Sequence, residues 1–275
     1  MKTVREPAVA GMFYPAFAPK LKKDIQAHLS SVTLEKTFEN IFGIISPHAG
    51  YVYSGKTAAY GYKAIQNKSY TTVIVISPSH REYFPGISIY CGDAYKTPLG
   101  EVELDKEMIA KLTEDKSFIF AGMNGHREEH ALEAQLPFLQ TVLNNFLLVP
   151  IVMGDQRKEF VLSLAEKLSA VVSKETLIVA SSDLSHFHTR KEADRLDSIV
   201  EQRIRAFDYS GLLDDLEKHK CEACGGGPIA ALLKTAELKK INNVKILSRT
   251  DSGCVSGDTS EVVGYLSAVV FSSNK

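Results

Sequence analysis

Three apolar, strand-like runs along this 275-residue chain each end in a polar turn that carries a histidine. Ile41 to Ile45 leads into Ser46-Pro47-His48, and Gly50 tightens the turn that follows. Thr71 to Ile76 leads into Ser77-Pro78-Ser79-His80, so the order of apolar run, Ser-Pro, short turn and His is written twice. Thr176 to Ala180 leads into Ser181-Ser182-Asp183-Leu184-Ser185-His186, which adds a carboxylate to the imidazole. In open α/β sheets ligands and chemistry collect in the crevice beyond the strand ends. Cys224 stands in a Gly-rich turn before Pro228, a favoured first helical position. A helix N-terminus lowers the pKa of a thiol, because the dipole and the free amides favour thiolate. Two neutral imidazoles plus one anionic ligand, drawn from this set of histidines, carboxylate and thiol, make a donor set for a redox-active first-row metal, with positions left open for oxygen or substrate.

Other motifs compete for the same residues. Gly50 to Thr57 satisfies G-x-x-x-x-G-K-S/T between a strand and a helix. Its interior, Tyr51-Val52-Tyr53, is too bulky for a loop whose amides must wrap a phosphate, and Asp183 is the one acid placed for a Walker-B role. His126 to His130 reads H-x-x-E-H, which needs a helix through His126 to bring two zinc-binding imidazoles together. Gly122 to Gly125 directly upstream starts that helix too late. Cys221-Glu222-Ala223-Cys224 is a C-x-x-C with neither a thioredoxin-like setting nor a second pair. His130 alone still has access to a pocket at the strand ends, and Tyr51, Tyr53, Tyr60 and Tyr62 are placed to line one beside His48, or to fill core or surface.

The elements that position these residues follow from periodicity. Leu21 to Leu29 reads as a short amphipathic helix, and Lys56 to about Gln66 as the first helix of the core. Ile87 to Cys91 is strand-like, Asp105 caps a helix to Leu112, and Glu128 to Leu143 reads as one helix that Pro137 kinks. Phe146 to Met153 and Thr176 to Ala180 are continuous apolar runs, the mark of strands covered on both faces. Helices at Phe160 to Val172 and Arg190 to Phe207, a helix from Pro228, and strands at Val244 to Arg249 and Val262 to Phe271 complete the chain. Alternating strands and helices, with no repeat or linker, predict one domain over 1–275: an α/β protein built as a three-layer α/β/α sandwich with a mostly parallel or mixed central sheet.

Composition sets the outer bounds. The 32 basic and 33 acidic residues are interspersed and leave a net charge of -1, which argues against nucleic acid and an anionic membrane as partners. No apolar leader or spanning run is present, so a cytoplasmic protein is expected. Four scattered cysteines are too few for a disulfide framework.

Taken together, V-A-G-M-F-Y-P from Val9, S-P-H-A-G-Y from Ser46, S-P-S-H from Ser77, E-H-A-L-E-A-Q-L-P-F from Glu129, S-S-D-L-S-H from Ser181 and C-G-G-G-P from Cys224 resemble, in order and spacing, the Memo family. Its bacterial and archaeal members are also called AmmeMemoRadiSam system protein B. The resemblance covers Pro7 to about Phe271 and accounts for the residues of the P-loop pattern. It implies a fold similar to the class III extradiol dioxygenases, which open catechol rings with non-haem iron. On that resemblance His48 and His80 are the imidazole ligands, Cys224 takes the third ligand position, His186 matches the acid/base histidine, His130 a second pocket histidine, and Asp183 shares the motif of His186. Those dioxygenases carry a carboxylate where this chain has Cys224. Sulfur softens the site, so one mononuclear ion, Fe(II) or Cu(I), is the implied cofactor. The implied activity is a redox, dioxygenase-like reaction on a small molecule, with Tyr51 or Tyr53 against the substrate. The alternative is a module that binds a metal or a peptide without turnover. The family's system name also suggests a functional link to a radical S-adenosylmethionine protein.

Overall fold

Continuous apolar runs decide the centre of the molecule, because a strand buried on both faces needs no polar alternation. The computed structural model describes residues 2–115 and 118–272. In chain order its elements are β1 (Val4–Arg5), α1 (Ala18–Ser30), β2 (Ile41–Ser46), α2 (Tyr51–Ile65), β3 (Thr72–Pro78), β4 (Ile87–Ile89), β5 (Ala94–Thr97), β6 (Gly100–Glu103), α3 (Lys106–Leu112) and β7 (Ile119–Ala121). There follow α4 (His130–Glu133), α5 (Leu136–Val142), β8 (Leu147–Met153), α6 (Lys158–Val171), β9 (Thr176–Ser181), β10 (His186–His188) and α7 (Arg190–Arg205). The last elements are α8 (Tyr209–Glu217), α9 (Gly226–Leu238), β11 (Asn243–Asp251), α10 (Gly253–Ser256) and β12 (Val262–Phe271).

The strands β2, β9, β3 and β8 lie side by side in that order and run parallel. Every residue of β2, β3 and β9 is buried, as their unbroken apolar sequences require. Outside this core the sheet is mixed. β4 is antiparallel to β8 and parallel to β7, while β12 is antiparallel to β2, β10 and β11. A small separate sheet holds β1, β5 and β6.

Adjacent residues of β2 show the layers, since neighbours in a strand point to opposite faces. A Cβ at Gly43 would come within 2.5 Å of Leu232 in α9, so α9 rests directly on the strand's backbone there. The next residue, Ile44, instead meets Gly61 of α2. α1 and α5 pack beside α2, and α6 and α8 beside α9. This is the expected three-layer α/β/α sandwich with a mixed central sheet.

Two element boundaries differ from expectation. The helix expected from Lys56 begins at Tyr51, because Tyr51, Ser54, Gly55, Ala58, Tyr62 and Ile65 form a buried stripe at helical spacing. The single helix expected over Glu128 to Leu143 is two short ones, α4 and α5. Pro137 lies at the start of α5, where its missing N–H is harmless, whereas inside a continuous helix it would break a bond. Asp105 caps α3 as expected, accepting from the Met108 amide at 2.9 Å.

Candidate metal centre

Parallel register brings the three histidine-bearing turns to one sheet edge. β9 lies between β2 and β3, with Ser46 opposite Ser181 and Ile76 opposite Ala180. The three strands therefore end together, and His48, Asp183 and His80 emerge side by side. The turn before α9 is tied to the same edge by the Cys224 amide donating to Asp183 O (3.2 Å) and the Gly225 amide donating to Ser182 Oγ (3.0 Å). His48, His80 and Cys224 each offer one ligand atom, and all three atoms lie within 4.8 Å of one another. Cys224 Sγ is 3.2 Å from His48 Nε2. The two imidazole rings are edge-on at 5.2 Å, and the His130 ring lies 5.4 Å from His48 and 4.5 Å from His80.

Each imidazole has its other nitrogen occupied. His80 Nδ1 is 2.9 Å from Glu129 Oε1, and the His80 amide donates to Glu129 Oε2 at 2.5 Å. His48 Nδ1 is 2.8 Å from Ser181 Oγ, and the His48 amide donates to Asp183 Oδ1 at 2.8 Å. Metal-binding histidines are held by such partners on the nitrogen remote from the metal. The donor set thus fits a borderline first-row ion: two imidazole nitrogens turned inward and a thiol.

Electrostatics follow from burial. Burial pushes the Glu129 carboxyl up, but His80 and the amides of His80 and Ala131 outweigh it and bring its pKa to about 2, so Glu129 is ionised and His80 Nδ1–H donates to it. Burial, with His80 nearby, holds His48 well below the ordinary histidine value. Burial and His48 bring His130 to about 4, with Glu129 pulling the other way. At neutral pH both rings are uncharged, as ligands or hydrogen-bonding groups need to be. Burial raises Asp183 against the pull of the His48 amide. The Cys224 thiol departs from the expectation of a lowered pKa: burial and then Asp183 push it up, and the Asp183 amide and Ser182 hydroxyl do not compensate. Cys224 would be deprotonated as a ligand, because a bound cation would reverse that balance.

The remaining sequence candidates fall in different places. His130 reaches the cluster, its ring against Phe13 at 4.7 Å and its buried Nδ1 at 3.4 Å from Glu129 Oε1, without hydrogen-bond geometry. His186 flanks it, lining with Cys224 a cleft of about 1010 Å³ that runs between α6 and α8. Asp183 is buried, and Oδ1 holds the main chain of His48. Tyr51 is buried, its ring between Tyr14 and Phe138 and its hydroxyl donating to Ala134 O at 2.7 Å, so core packing claims it. Tyr53 is 44% exposed on the first turn of α2.

The competing motifs dissolve in the fold. The P-loop pattern runs from the Gly50 cap into the first two turns of α2, where Gly55 packs on His28 and Thr57 Oγ1 bonds Thr250 Oγ1 at 2.7 Å. His126 lies ahead of α4 in a loop, fully buried against Tyr95 and away from helical spacing with His130. Cys221 is buried, with its thiol raised to about 11 by burial, and all four cysteines are free. Sequence reasoning misses the supporting roles of Glu129, Ser181 and Gln135, since a lone polar residue at a helix cap or strand end carries no periodic sign of burial.

One close approach fixes the thiol. A Cβ at Gly225 would overlap the carbonyl oxygen of Ser181. Gly225→Ala should therefore push the turn off β9, costing about 1–3 kcal/mol of stability and displacing Cys224. Urea unfolding beside metal uptake reads both; a stable variant with wild-type uptake would contradict the close packing.

A family model described as Memo-like protein matches residues 5–269. A MEMO1 family protein of Thermoplasma volcanium is 37% identical over 270 residues, covering 97% of this chain and 98% of that one. A MEMO1 family protein of Methanosarcina mazei is 35% identical over 271 residues, and one of Thermotoga maritima 34% over 279, each spanning 97% of this chain and 99% of its own. Among solved structures, an uncharacterised protein of Escherichia coli K12 superposes with a TM-score of 0.53 at 13% identity, covering 84% of this chain and 99% of that one, which shows a shared fold.

Proposed function

This chain belongs to the Memo-like protein family, and on that premise we propose that it is a mononuclear metal protein of redox, dioxygenase-like function acting on a small organic substrate. The observation that carries the reading is the convergence of His48, His80 and Cys224, with ligand atoms within 4.8 Å and each ring's far nitrogen already bonded. Fe(II) or Cu(I) suits that donor set, and the bound ion would supply redox chemistry at its open positions. Glu129 makes His80 a stronger donor, because an ionised carboxylate on Nδ1–H raises the basicity of Nε2. Asp183 holds the His48 backbone and, through its own amide to Cys224 Sγ at 3.2 Å, steadies the thiolate. His186, on the cleft wall next to Cys224, takes a proton from a bound substrate hydroxyl. His130, neutral at pH 7 with its Nδ1 buried 3.4 Å from Glu129 Oε1, orients the substrate from beside His48 and His80.

A binding module without turnover is the second reading, and Cys224 in place of a carboxylate favours it. The cleft walls mix Leu162, Leu213 and Leu216 with Lys158, Asp214 and Glu217, which also suits a peptide. Element analysis of protein prepared anaerobically, without chelators, tests the metal. Wild type is expected to hold or take up roughly one equivalent of iron or copper. His48→Ala and Cys224→Ser should fall to background while remaining folded. Failure of the wild type to take up either Fe(II) or Cu(I) would remove the metal reading. Metal binding without oxygen consumption across a panel of small phenols, unchanged by His186→Ala, would move the assignment to the binding module.

A further inference from the structure

Three polar groups packed around Ser181 leave a single way to distribute their protons. Ser181 is fully buried, and its Oγ lies 2.7 Å from Ala131 O, 2.7 Å from Gln135 Nε2 and 2.8 Å from His48 Nδ1. The orientation of the Gln135 amide is pinned independently: Nε2 donates to Pro47 O at 3.0 Å, and Oε1 accepts from the Tyr62 hydroxyl at 2.5 Å. Reversing the amide would set two oxygens, Gln135 Oε1 and Pro47 O, against each other. Gln135 Nε2 has a second proton, and it points to Ser181 Oγ. A carbonyl only accepts, so the one Ser181 proton goes to Ala131 O, whose residue is itself fully buried. Ser181 Oγ is then left with one lone pair facing His48 Nδ1, and that nitrogen must be the donor.

We infer that Gln135 and Ser181 are positioning residues that hold His48 in the Nδ1–H tautomer and so present an unprotonated Nε2 toward Cys224. The two ring nitrogens of a neutral histidine are inequivalent, and the partner of one decides what the other can do. An isolated imidazole samples both tautomers; here the hydroxyl selects one before any ligand arrives. The two ligand histidines are consequently tuned differently, His80 by the charged Glu129 and His48 by a neutral hydroxyl, so that Nε2 of His80 is the more basic donor. The purpose of the selection rests on the metal reading above, whereas the selection itself does not.

The test separates these two parts. Long-range proton–nitrogen spectra of nitrogen-labelled histidine in the metal-free protein report the tautomer of each ring, with His48→Gln assigning the His48 signals. Wild type is expected to show Nδ1–H for His48. Ser181→Ala should give a tautomer mixture with circular dichroism unchanged, and should weaken Fe(II) or Cu(I) binding about 10- to 100-fold. An Nε2–H tautomer in the wild type would overturn the inference without any variant. So would an Nδ1–H signal that survives Ser181→Ala. A tautomer lost in Ser181→Ala, in a protein that binds no metal when wild type, would establish the selection and overturn the metal reading instead.

Discussion

Glu133→Gln is expected to lower the unfolding free energy by about 3–5 kcal/mol, the cost of leaving a buried charge without its partner. Glu133 is fully buried and pairs with Arg5, whose side chain is also buried. The carboxylate further accepts from the amides of Ala8 (2.8 Å) and Val9 (3.1 Å) and from the Tyr14 hydroxyl. The guanidinium donates to His126 O at 2.9 Å and to Glu129 O at 2.6 Å. A neutral amide in place of the carboxylate would keep the shape but leave Arg5 charged in a dry site. The pair joins the N-terminal segment to α4, and Glu129 is the N-cap of α4, so loosening it also loosens the partner of His80. Urea denaturation of wild type, Glu133→Gln, Arg5→Met and the double variant Arg5→Met/Glu133→Leu gives the coupling. The double variant should lose less than the two single changes together, though the amides of Ala8 and Val9 keep it below wild type. A loss under about 1 kcal/mol in Glu133→Gln would show that the pair is exposed to water in solution.

That network marks the limit of what the sequence makes legible. Strands β2, β3, β8 and β9 announce themselves, because burial on both faces leaves only apolar residues. His48, His80 and Cys224 can be read because each follows a strand or opens a helix, and Gly and Pro mark the turns. Arg5, Glu129 and Glu133 look in sequence like ordinary surface charges. Only folding shows that they are buried: Arg5 meets His126 O and Glu133 across 121 and 128 positions, and Glu129 meets His80 across 49. Strands of two to four residues, such as β1, β5 and β6, are too short for alternation to show. The Cys224 thiol illustrates competition between effects: its place before a helix argues for a lowered pKa, and burial beside Asp183 reverses the sign.

Stability of the metal-free protein should fall steeply as the pH drops below about 6.5, and His126 is a principal cause. Its ring is fully buried, with Nδ1 accepting from the Tyr95 hydroxyl at 2.6 Å and Nε2 facing Ser88 O at 3.3 Å. Burial brings its pKa to about 3; the bond to Ser88 O and the charge of Glu129 favour the proton, and Arg5 opposes it. A folded-state pKa below the unfolded value means that the unfolded chain binds the extra proton between about pH 6.5 and 3. The contribution is therefore complete above about 6.5 and is lost as the pH falls toward 3, amounting to about 5 kcal/mol over the window. His130, brought to about 4, acts in the same direction. Asp197 acts against both: burial raises it to about 6, so the folded state takes its proton first, and its contribution grows as the pH falls from about 6. Because the two signs overlap, the absolute curve mixes them, and the difference between variants isolates His126. His126→Gln, which keeps a polar side chain that does not titrate, should flatten the stability profile between about pH 6 and 4 by about one proton, or about 1.4 kcal/mol per pH unit. Denaturant midpoints across that range decide it. Parallel profiles for the two proteins would mean that His126 is protonated in the folded state, and would require the Tyr95 hydroxyl to accept the bond it is here assigned to donate.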